Sequence, residues 1–128
     1  MKKKLNLTLL SIFLILIACS PSPEVTGAKD GKISIPAFKN KLASVDNPQL
    51  IDVRTPEEFE AGTLDGAINI DFRAASFEAE IAKLDKDRPV FVFCRSGGRS
   101  GKSYKKMKNI GFSEVYDMEG GYSAWTKQ

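Results

Sequence analysis

The chain has 128 residues, of which 27% are charged and 42% are hydrophobic, a composition typical of one globular domain. The net charge of +3 rests on Lys2, Lys3 and Lys4, because taking these three from the 19 basic residues leaves 16 against 16 acidic ones. Without these three lysines the chain is formally neutral, so we predict no basic surface that would bind nucleic acid. The sequence has no histidine and two cysteines, which excludes a Cys-His dyad, and we predict neither a metal nor a cofactor.

The first 18 residues have the three zones of a signal peptide: a basic start, a mostly apolar run over 5–17, and small residues around Ala18. The apolar run is too short to predict a membrane span, and a short N-terminal anchor helix is the less favoured alternative. The junction Leu16-Ile17-Ala18-Cys19 resembles a bacterial lipobox. This resemblance implies cleavage before Cys19 and acylation of that residue, and several acyl chains anchor a protein stably. We therefore expect a lipid-anchored protein on the periplasmic or extracellular side of a bacterial membrane.

The boundary between tether and domain is predicted near residue 31. Residues 19–31 contain two prolines and two glycines, which favours a lipidated N-terminus followed by a flexible tether. Residues 32–128 are predicted to form the folded domain. If Cys19 carries lipid, Cys94 has no cysteine partner in its own chain. A lone thiol in an oxidising compartment is a liability unless it is buried and inert or has a function.

Short strands and helices alternate along the predicted domain. Thr55-Pro56-Glu57-Glu58 is a strong helix start, with an N-cap threonine and the glutamate of a capping box. In the helix before Gly111, Tyr104, Met107 and Ile110 are predicted to face inward. Strands are predicted at 32–35 (an edge), 50–53, 67–70, 90–93 and 115–116, and helices at 36–43, from 55 to about 62, at 76–84, from about 100 to 111, and at 120–125.

This alternation predicts an α/β fold with three layers, in which a mostly parallel sheet of about five strands has helices on both faces. Right-handed crossovers place the loops that follow the strands along one rim of the sheet. Residues 52–54, 94–100 and 119–121 all follow predicted strands, so we expect them to lie near one another.

The segment Cys94-Arg95-Ser96-Gly97-Gly98-Arg99-Ser100 lies between a buried strand and a helix. A thiolate is the reactive form of cysteine. Three features are expected to favour it here: the helix N-terminus, inward-facing amides near the two glycines, and the positive charges of Arg95 and Arg99. The alternative is that Cys94 is a small buried hydrophobic residue. Two glycines, two arginines and two serines would fill a core poorly, so we favour a nucleophile.

Four segments together resemble a single rhodanese (thiosulfate sulfurtransferase) domain, and the resemblance runs from about Ile33 to Trp125. They are 50–59 (LIDVRTPEEF), 66–70 (GAINI), 94–100 (CRSGGRS), and 119–121 (EGG) with the pair 124–125 (AW). One departure is Thr63-Leu64-Asp65-Gly66, where many members have a histidine and a proline. The departure leaves the cysteine loop untouched.

The resemblance implies sulfur transfer through a persulfide on Cys94. The donor would be a small sulfur anion such as thiosulfate, and the acceptor would be cyanide or a thiol or dithiol protein. The implied binding residues are Arg95, Ser96, Gly97, Gly98, Arg99 and Ser100. Asp52 and Arg54 would support the loop, although a structural salt bridge is an equally strong interpretation. We expect a monomer that contacts the membrane only through its lipid.

Loop length separates this chain from related phosphatases, which use Cys-x5-Arg. Cys94 and Arg99 form Cys-x4-Arg, one residue shorter, and the tighter loop suits a single sulfur atom better than a phosphate. Two further hypotheses stay open at this point. One is a low-turnover persulfide carrier or protein-binding module, and the other is a redox sensor in which Cys94 forms a sulfenic acid.

Overall fold

A computed structural model describes residues 30–128. The predicted signal peptide (1–18) and almost all of the predicted lipidated tether, with Cys19, therefore lie outside the described residues. Within 30–128, no helix has the length and apolar character that crossing a membrane requires.

The described residues form a sheet of five strands with five helices alternating along the chain. The strands are β1 (Gly31–Ile33), β2 (Gln49–Asp52), β3 (Ile68–Asn69), β4 (Val90–Phe93) and β5 (Val115–Met118); the helices are α1 (Ile35–Ala43), α2 (Pro56–Glu60), α3 (Phe77–Ala82), α4 (Gly98–Asn109) and α5 (Gly121–Trp125). The strand order is β1-β5-β4-β2-β3, and every neighbouring pair is parallel. The α/β prediction is confirmed, and the sheet is wholly parallel where a mostly parallel one was expected.

The central strand β4 is buried on both faces because helices cover the sheet on each side. Its four residues are all 0% exposed. Val90 and Val92 pack with α3 and α4, whereas Phe91 and Phe93 pack with α1 and α5. Because β4 is buried on both faces, all four of its residues are apolar. It also fixes the end of β4, and with it Cys94, in the middle of the sheet.

Some predicted boundaries differ from the structure. Helix α4 begins at Gly98, two residues before the predicted start, and β5 continues to Met118, so that Asp117 belongs to a buried strand. The prediction that Ile110 faces inward is wrong, because its side chain is 40% exposed. Ile110 is the C-cap residue, and the left-handed Gly111 after it turns the chain so that Phe112 enters the core instead.

Candidate active site

The loop that contains Cys94 connects β4 to α4 at the carboxyl edge of the sheet. The N-terminus of α5 contacts this loop directly: the Tyr122 amide donates to the Cys94 carbonyl at 2.8 Å, and the Ser123 amide donates to the Arg95 carbonyl at 3.0 Å. The loops after β4 and β5, which the sequence expected near one another, are therefore in contact. Backbone groups hold the cysteine loop from the side of α5.

Gly121 makes this close approach possible. Its backbone φ is +61°, and a Cβ placed on it would lie 2.5 Å from the Cys94 carbonyl oxygen and 2.6 Å from the Arg95 carbonyl carbon. No side chain fits at these distances, so glycine is required for two reasons, its left-handed backbone and the missing Cβ. The sequence analysis noted Gly121 as part of a motif, and the structure supplies the physical reason for it.

Two polar groups of the loop form hydrogen bonds with the sulfur of Cys94. The Gly97 amide donates to Sγ at 3.0 Å, and the Ser100 hydroxyl oxygen lies 3.4 Å from Sγ. Burial raises the pKa of the thiol, but hydrogen bonds from the Ser100 side chain and from the amides of Ser100, Gly97 and Ser96 outweigh it, so the pKa lies below its usual value. The local geometry thus favours the thiolate without a histidine.

The loop is open on its outer side. Arg95, Ser96 and Gly98 are exposed, and a Cβ placed on Gly97 or Gly98 would meet no other atom within 4 Å. Cys94 itself is only 1% exposed. The sulfur-bearing residue is therefore covered, whereas the two glycines of the loop border open space.

The two arginines of the loop have different surroundings. The Arg99 guanidinium forms a bidentate ion pair with the Glu58 carboxylate, at 2.7 and 3.0 Å. This pairing lowers the pKa of Glu58 to about 2 and raises that of Arg99, and the charge of Asp71 also acts on Arg99. Arg95 is exposed and has no ion-pair partner in the described part of the chain. Of the two arginines in the loop, Arg95 is therefore the one whose positive charge is not balanced by an ion pair among the described residues.

Glu58 is a residue of this site that the sequence analysis did not assign. It was interpreted as the capping-box residue of α2, and that role is present, because its carboxylate accepts from the Thr55 amide at 3.0 Å. The ion pair with Arg99 joins α2 to α4 across 41 residues of sequence. No pattern within a few residues of Glu58 predicts this ion pair.

Asp52 and Arg54 form a buried ion pair below the loop, with a shortest distance of 2.6 Å from Nη2 to Oδ2. The Arg54 guanidinium also donates to the Gly62 carbonyl at 2.7 Å and lies 4.2 Å from the centre of the Tyr122 ring. The Thr63 hydroxyl donates to the Asp52 carboxylate at 2.9 Å. The Arg54 guanidinium also lies 5.8 Å from the centre of the Phe93 ring, so the pair packs against α5 and the end of β4, in the arrangement of a structural salt bridge.

Cysteine and acidic side chains do not cluster at this rim in a way that would hold a metal. Among residues 30–128, no group of three or more such side chains lies close enough to bind a metal ion.

Comparison with known proteins identifies the family. The rhodanese-like domain profile matches residues 35–128. The chain belongs to the rhodanese-like domain family. In solved structures, the rhodanese fold of this chain is similar to a human single-domain sulfurtransferase, TSTD1, with a TM-score of 0.63 and 28% identity, covering 76% of this chain and 96% of that one. A rhodanese-like domain protein from Staphylococcus aureus has a TM-score of 0.65 and 29% identity, covering 73% and 89%.

Similar sequences occur in proteins of different sizes. The Arabidopsis thaliana protein named thiosulfate sulfurtransferase 16 is 41% identical over 87 residues, which cover 60% of this chain and 72% of that protein. Bacillus subtilis YqhL is 36% identical over 77 residues, 60% of each chain. The Mycobacterium tuberculosis adenylyltransferase/sulfurtransferase MoeZ is 35% identical over 101 residues, 79% of this chain but 26% of MoeZ. The chain thus spans less than two thirds of the last two relatives, and its sulfurtransferase homologues support sulfur transfer as the general class of reaction.

Proposed function

We propose that the protein is a sulfurtransferase that moves a sulfane sulfur from a small anionic donor, such as thiosulfate, to cyanide or a thiol acceptor through a Cys94 persulfide. The observation that carries this proposal is the environment of Sγ, where amide and hydroxyl donors stabilise an anion at a loop with an open mouth. In the first step the thiolate attacks the outer sulfur of thiosulfate. A new S–S bond forms, the old S–S bond breaks, and sulfite leaves with the electron pair.

In the second step an acceptor nucleophile attacks the outer sulfur of the persulfide. The Cys94 thiolate leaves and is restored, so that the cycle is a double displacement with a covalent intermediate. The amides of residues 96, 97 and 100 are placed to stabilise the negative sulfur that is regenerated. Arg95 supplies the positive charge that attracts the donor anion.

The test measures thiocyanate formation from thiosulfate and cyanide, together with the intact mass of the protein after thiosulfate treatment alone. We expect a mass increase of one sulfur atom on Cys94 and steady production of thiocyanate. Cys94→Ser should remove both while keeping the fold, and Cys19→Ser is the matched control that should retain both. Absence of both signals from the wild-type protein would refute sulfur transfer through Cys94.

The burial of Cys94 favours a second candidate, a persulfide carrier with little turnover. Because Cys94 is only 1% exposed, a large acceptor would have poor access to a sulfur bound to it. A carrier would gain one sulfur rapidly and release thiocyanate slowly. Rapid-mixing measurement of the first turnover against the steady rate separates the two candidates, because an enzyme shows continued turnover after the first equivalent.

We also propose that the protein acts as a monomer in the cell envelope, held by acyl chains on Cys19. The support for the anchor is the sequence of residues 1–19. Labelled fatty acid should be incorporated into the wild-type protein and into Cys94→Ser, but not into Cys19→Ser. Incorporation into Cys19→Ser would contradict the anchor. Equilibrium sedimentation of the protein in detergent tests the monomer, and a dimer mass would refute it.

A further inference from the structure

Glu58 of α2 holds the guanidinium of Arg99, one of the two arginines of the cysteine loop. Arg99 Nη1 and Nη2 donate to the two carboxylate oxygens at 2.7 and 3.0 Å. The carboxylate is itself fixed, because it accepts from the Thr55 amide at 3.0 Å and from the Thr55 hydroxyl at 3.2 Å. Both side chains of the ion pair are partly buried, with 28% of Glu58 and 16% of Arg99 exposed. The Arg99 side chain is therefore directed towards α2.

Arg99 is nevertheless close to the reactive sulfur along the chain. Ser100, the next residue, has its Oγ 3.4 Å from Cys94 Sγ, and consecutive Cα atoms are about 3.8 Å apart. The charge of a Cys94 thiolate also contributes to the raised pKa of Arg99. An arginine side chain is long and carries five N–H donors. A guanidinium released from Glu58 can therefore turn towards an anion bound at the cysteine loop.

The ion pair leaves the loop with one positive charge for an incoming anion. Arg95 is exposed and has no ion pair among the described residues. Two further acidic residues follow strands that end at the same rim: Asp71, after β3, acts on Arg99, and Glu119, after β5, is exposed. A reactant with a second negative charge therefore meets no second unpaired cation within residues 94–100.

We propose that Glu58 is a positioning residue that sets the charge specificity of the sulfur site: by holding both terminal nitrogens of Arg99, it leaves Arg95 to bind the donor and so favours a singly charged sulfur donor over a doubly charged one. A second guanidinium at the loop would stabilise a doubly charged anion by about twice as much Coulomb energy as a singly charged one. Glu58 withholds that second guanidinium. The inference rests on the proposed function, because it assigns the charge of the donor.

The first test compares alkylation of Cys94 by neutral iodoacetamide and by iodoacetate, which has nearly the same shape and one negative charge. The full-length chain is used, and peptide mass spectrometry separates Cys94 from Cys19. The iodoacetamide rate reports the reactivity of the thiolate, so the ratio of the iodoacetate rate to the iodoacetamide rate reports the charge near the sulfur. In Glu58→Gln this ratio should rise about threefold, the effect of one unit charge at roughly 10 Å and an effective dielectric constant of about 50.

Glu57→Gln is the matched control for this test. It removes an equal charge from an exposed position in the same helix turn, where Glu57 forms no ion pair among the described residues. Its ratio of the two alkylation rates should stay near the wild-type value. If Glu58→Gln does not fold, Arg99→Lys replaces it as the test variant. Lysine keeps the charge but lacks the bidentate geometry, so the ratio should rise in the same direction.

The second test compares two sulfur donors with cyanide as the acceptor: thiosulfate, with two negative charges, and methanethiosulfonate, with one. Glu58→Gln should raise kcat/KM about threefold for methanethiosulfonate and about tenfold for thiosulfate, because the Coulomb energy scales with the charge of the donor. Both increases should shrink at high salt.

A double variant shows whether Glu58 acts through Arg99. Glu58→Gln combined with Arg99→Gln has no guanidinium to release, so its ratio of alkylation rates and its relative kcat/KM for the two donors should return to wild-type values. A general loss of support for the loop would slow both alkylating reagents alike and would persist in the double variant.

Three results would overturn the proposal: an unchanged ratio of alkylation rates in Glu58→Gln, a double variant that keeps the raised ratio, or equal changes in kcat/KM for the two donors. Alkylation requires no sulfur transfer. A protein that makes no thiocyanate but shows the predicted alkylation ratios would therefore refute the proposed function and leave the control of charge by Glu58 standing. A protein that makes thiocyanate with unchanged ratios would do the reverse.

Discussion

At the scale of single residues, the site depends on short hydrogen bonds to one sulfur atom. The Gly97 amide donates to Cys94 Sγ at 3.0 Å, and Gly97 itself has a left-handed φ of +113°. Gly98, one residue later, has no such backbone and begins α4. The two adjacent glycines therefore have different structural roles, and alanine substitutions can distinguish these roles.

Gly97→Ala should destabilise the loop, whereas Gly98→Ala should not. The left-handed φ of Gly97 is strained for alanine, at about 1–3 kcal/mol. The strain should also weaken the amide donation to Sγ, so the rate of Cys94 alkylation at neutral pH should fall. Chemical denaturation and alkylation measure the two effects. Equal losses of stability in the two variants would contradict this assignment.

Arg95→Ala should weaken donor binding more than Arg99→Ala does. Arg95 is exposed and unpaired within the described residues, whereas the charge of Arg99 is largely balanced by Glu58. We expect the KM for thiosulfate to rise about fivefold in Arg95→Ala, with the effect shrinking at high salt, as is usual for one exposed charge. Lys102→Ala, which removes an equal exposed charge outside the loop, is the control in steady-state kinetics. A larger rise in KM for Arg99→Ala would reverse the order proposed here.

At the scale of elements, two contacts fix the cysteine loop: the N-terminus of α5 on one side and α2 on the other. The α5 contact uses backbone amides and depends on Gly121. The α2 contact is the Glu58–Arg99 ion pair, whose side chains are 28% and 16% exposed. A bidentate pair of this kind contributes on the order of 1 kcal/mol.

Glu58→Gln should reduce the unfolding free energy at neutral pH by that amount while preserving the capping box, because glutamine also suits its third position. Folding lowers the pKa of Glu58 from 4.5 to about 2. The stabilisation is therefore complete above the unfolded value of 4.5 and is lost as the pH falls towards 2. Denaturation at several pH values measures the difference. Glu57→Gln, the exposed neighbour in the same helix turn, should show no comparable pH-dependent loss.

At the scale of the whole molecule, the sheet buries two acidic residues in different ways. Asp52 has a full ion pair with Arg54, whereas Oδ1 of Asp117 has no hydrogen-bond partner among residues 30–128. An unpaired buried carboxyl is disfavoured when charged, so Asp117 opposes folding once it ionises. The stability of the domain should therefore depend on pH through Asp117 as well as through Glu58.

Asp117→Asn should become progressively more stable than the wild type as the pH rises above 3.8, the ordinary pKa of an aspartate. Folding raises the pKa of Asp117 above 3.8, so the folded protein keeps a proton that the unfolded chain releases, and wild-type unfolding free energy falls with rising pH through that window. Asparagine does not ionise, so the unfolding free energy of the variant lacks this dependence on pH. Urea denaturation at matched pH values gives the difference, and a constant difference over the range would contradict the prediction.

Local patterns in the sequence were sufficient for the architecture. The alternation of predicted strands and helices indicated the parallel α/β sheet. Strands and helices differ in the spacing of their apolar residues, and this spacing is visible in the sequence itself. The capping box at Thr55 and the apolar run of β4 were also local signals, and the structure contains both. Boundaries were less certain: Ile110 has the helical spacing of a core residue, but Gly111 redirects the chain and Phe112 takes the core position.

The sequence by itself determined that a cysteine stands at the end of the central buried strand, in a glycine-containing loop that resembles the rhodanese loop. Only the tertiary structure decided which groups meet that loop. Glu58 pairs with Arg99, the Tyr122 amide donates to the Cys94 carbonyl, and the Asp117 carboxylate lies close to Gly101 of α4. The physical reason is that helix and strand signals act over a few residues. These contacts instead join separate elements, and they form only when the parallel sheet brings the ends of β2, β4 and β5 to one edge.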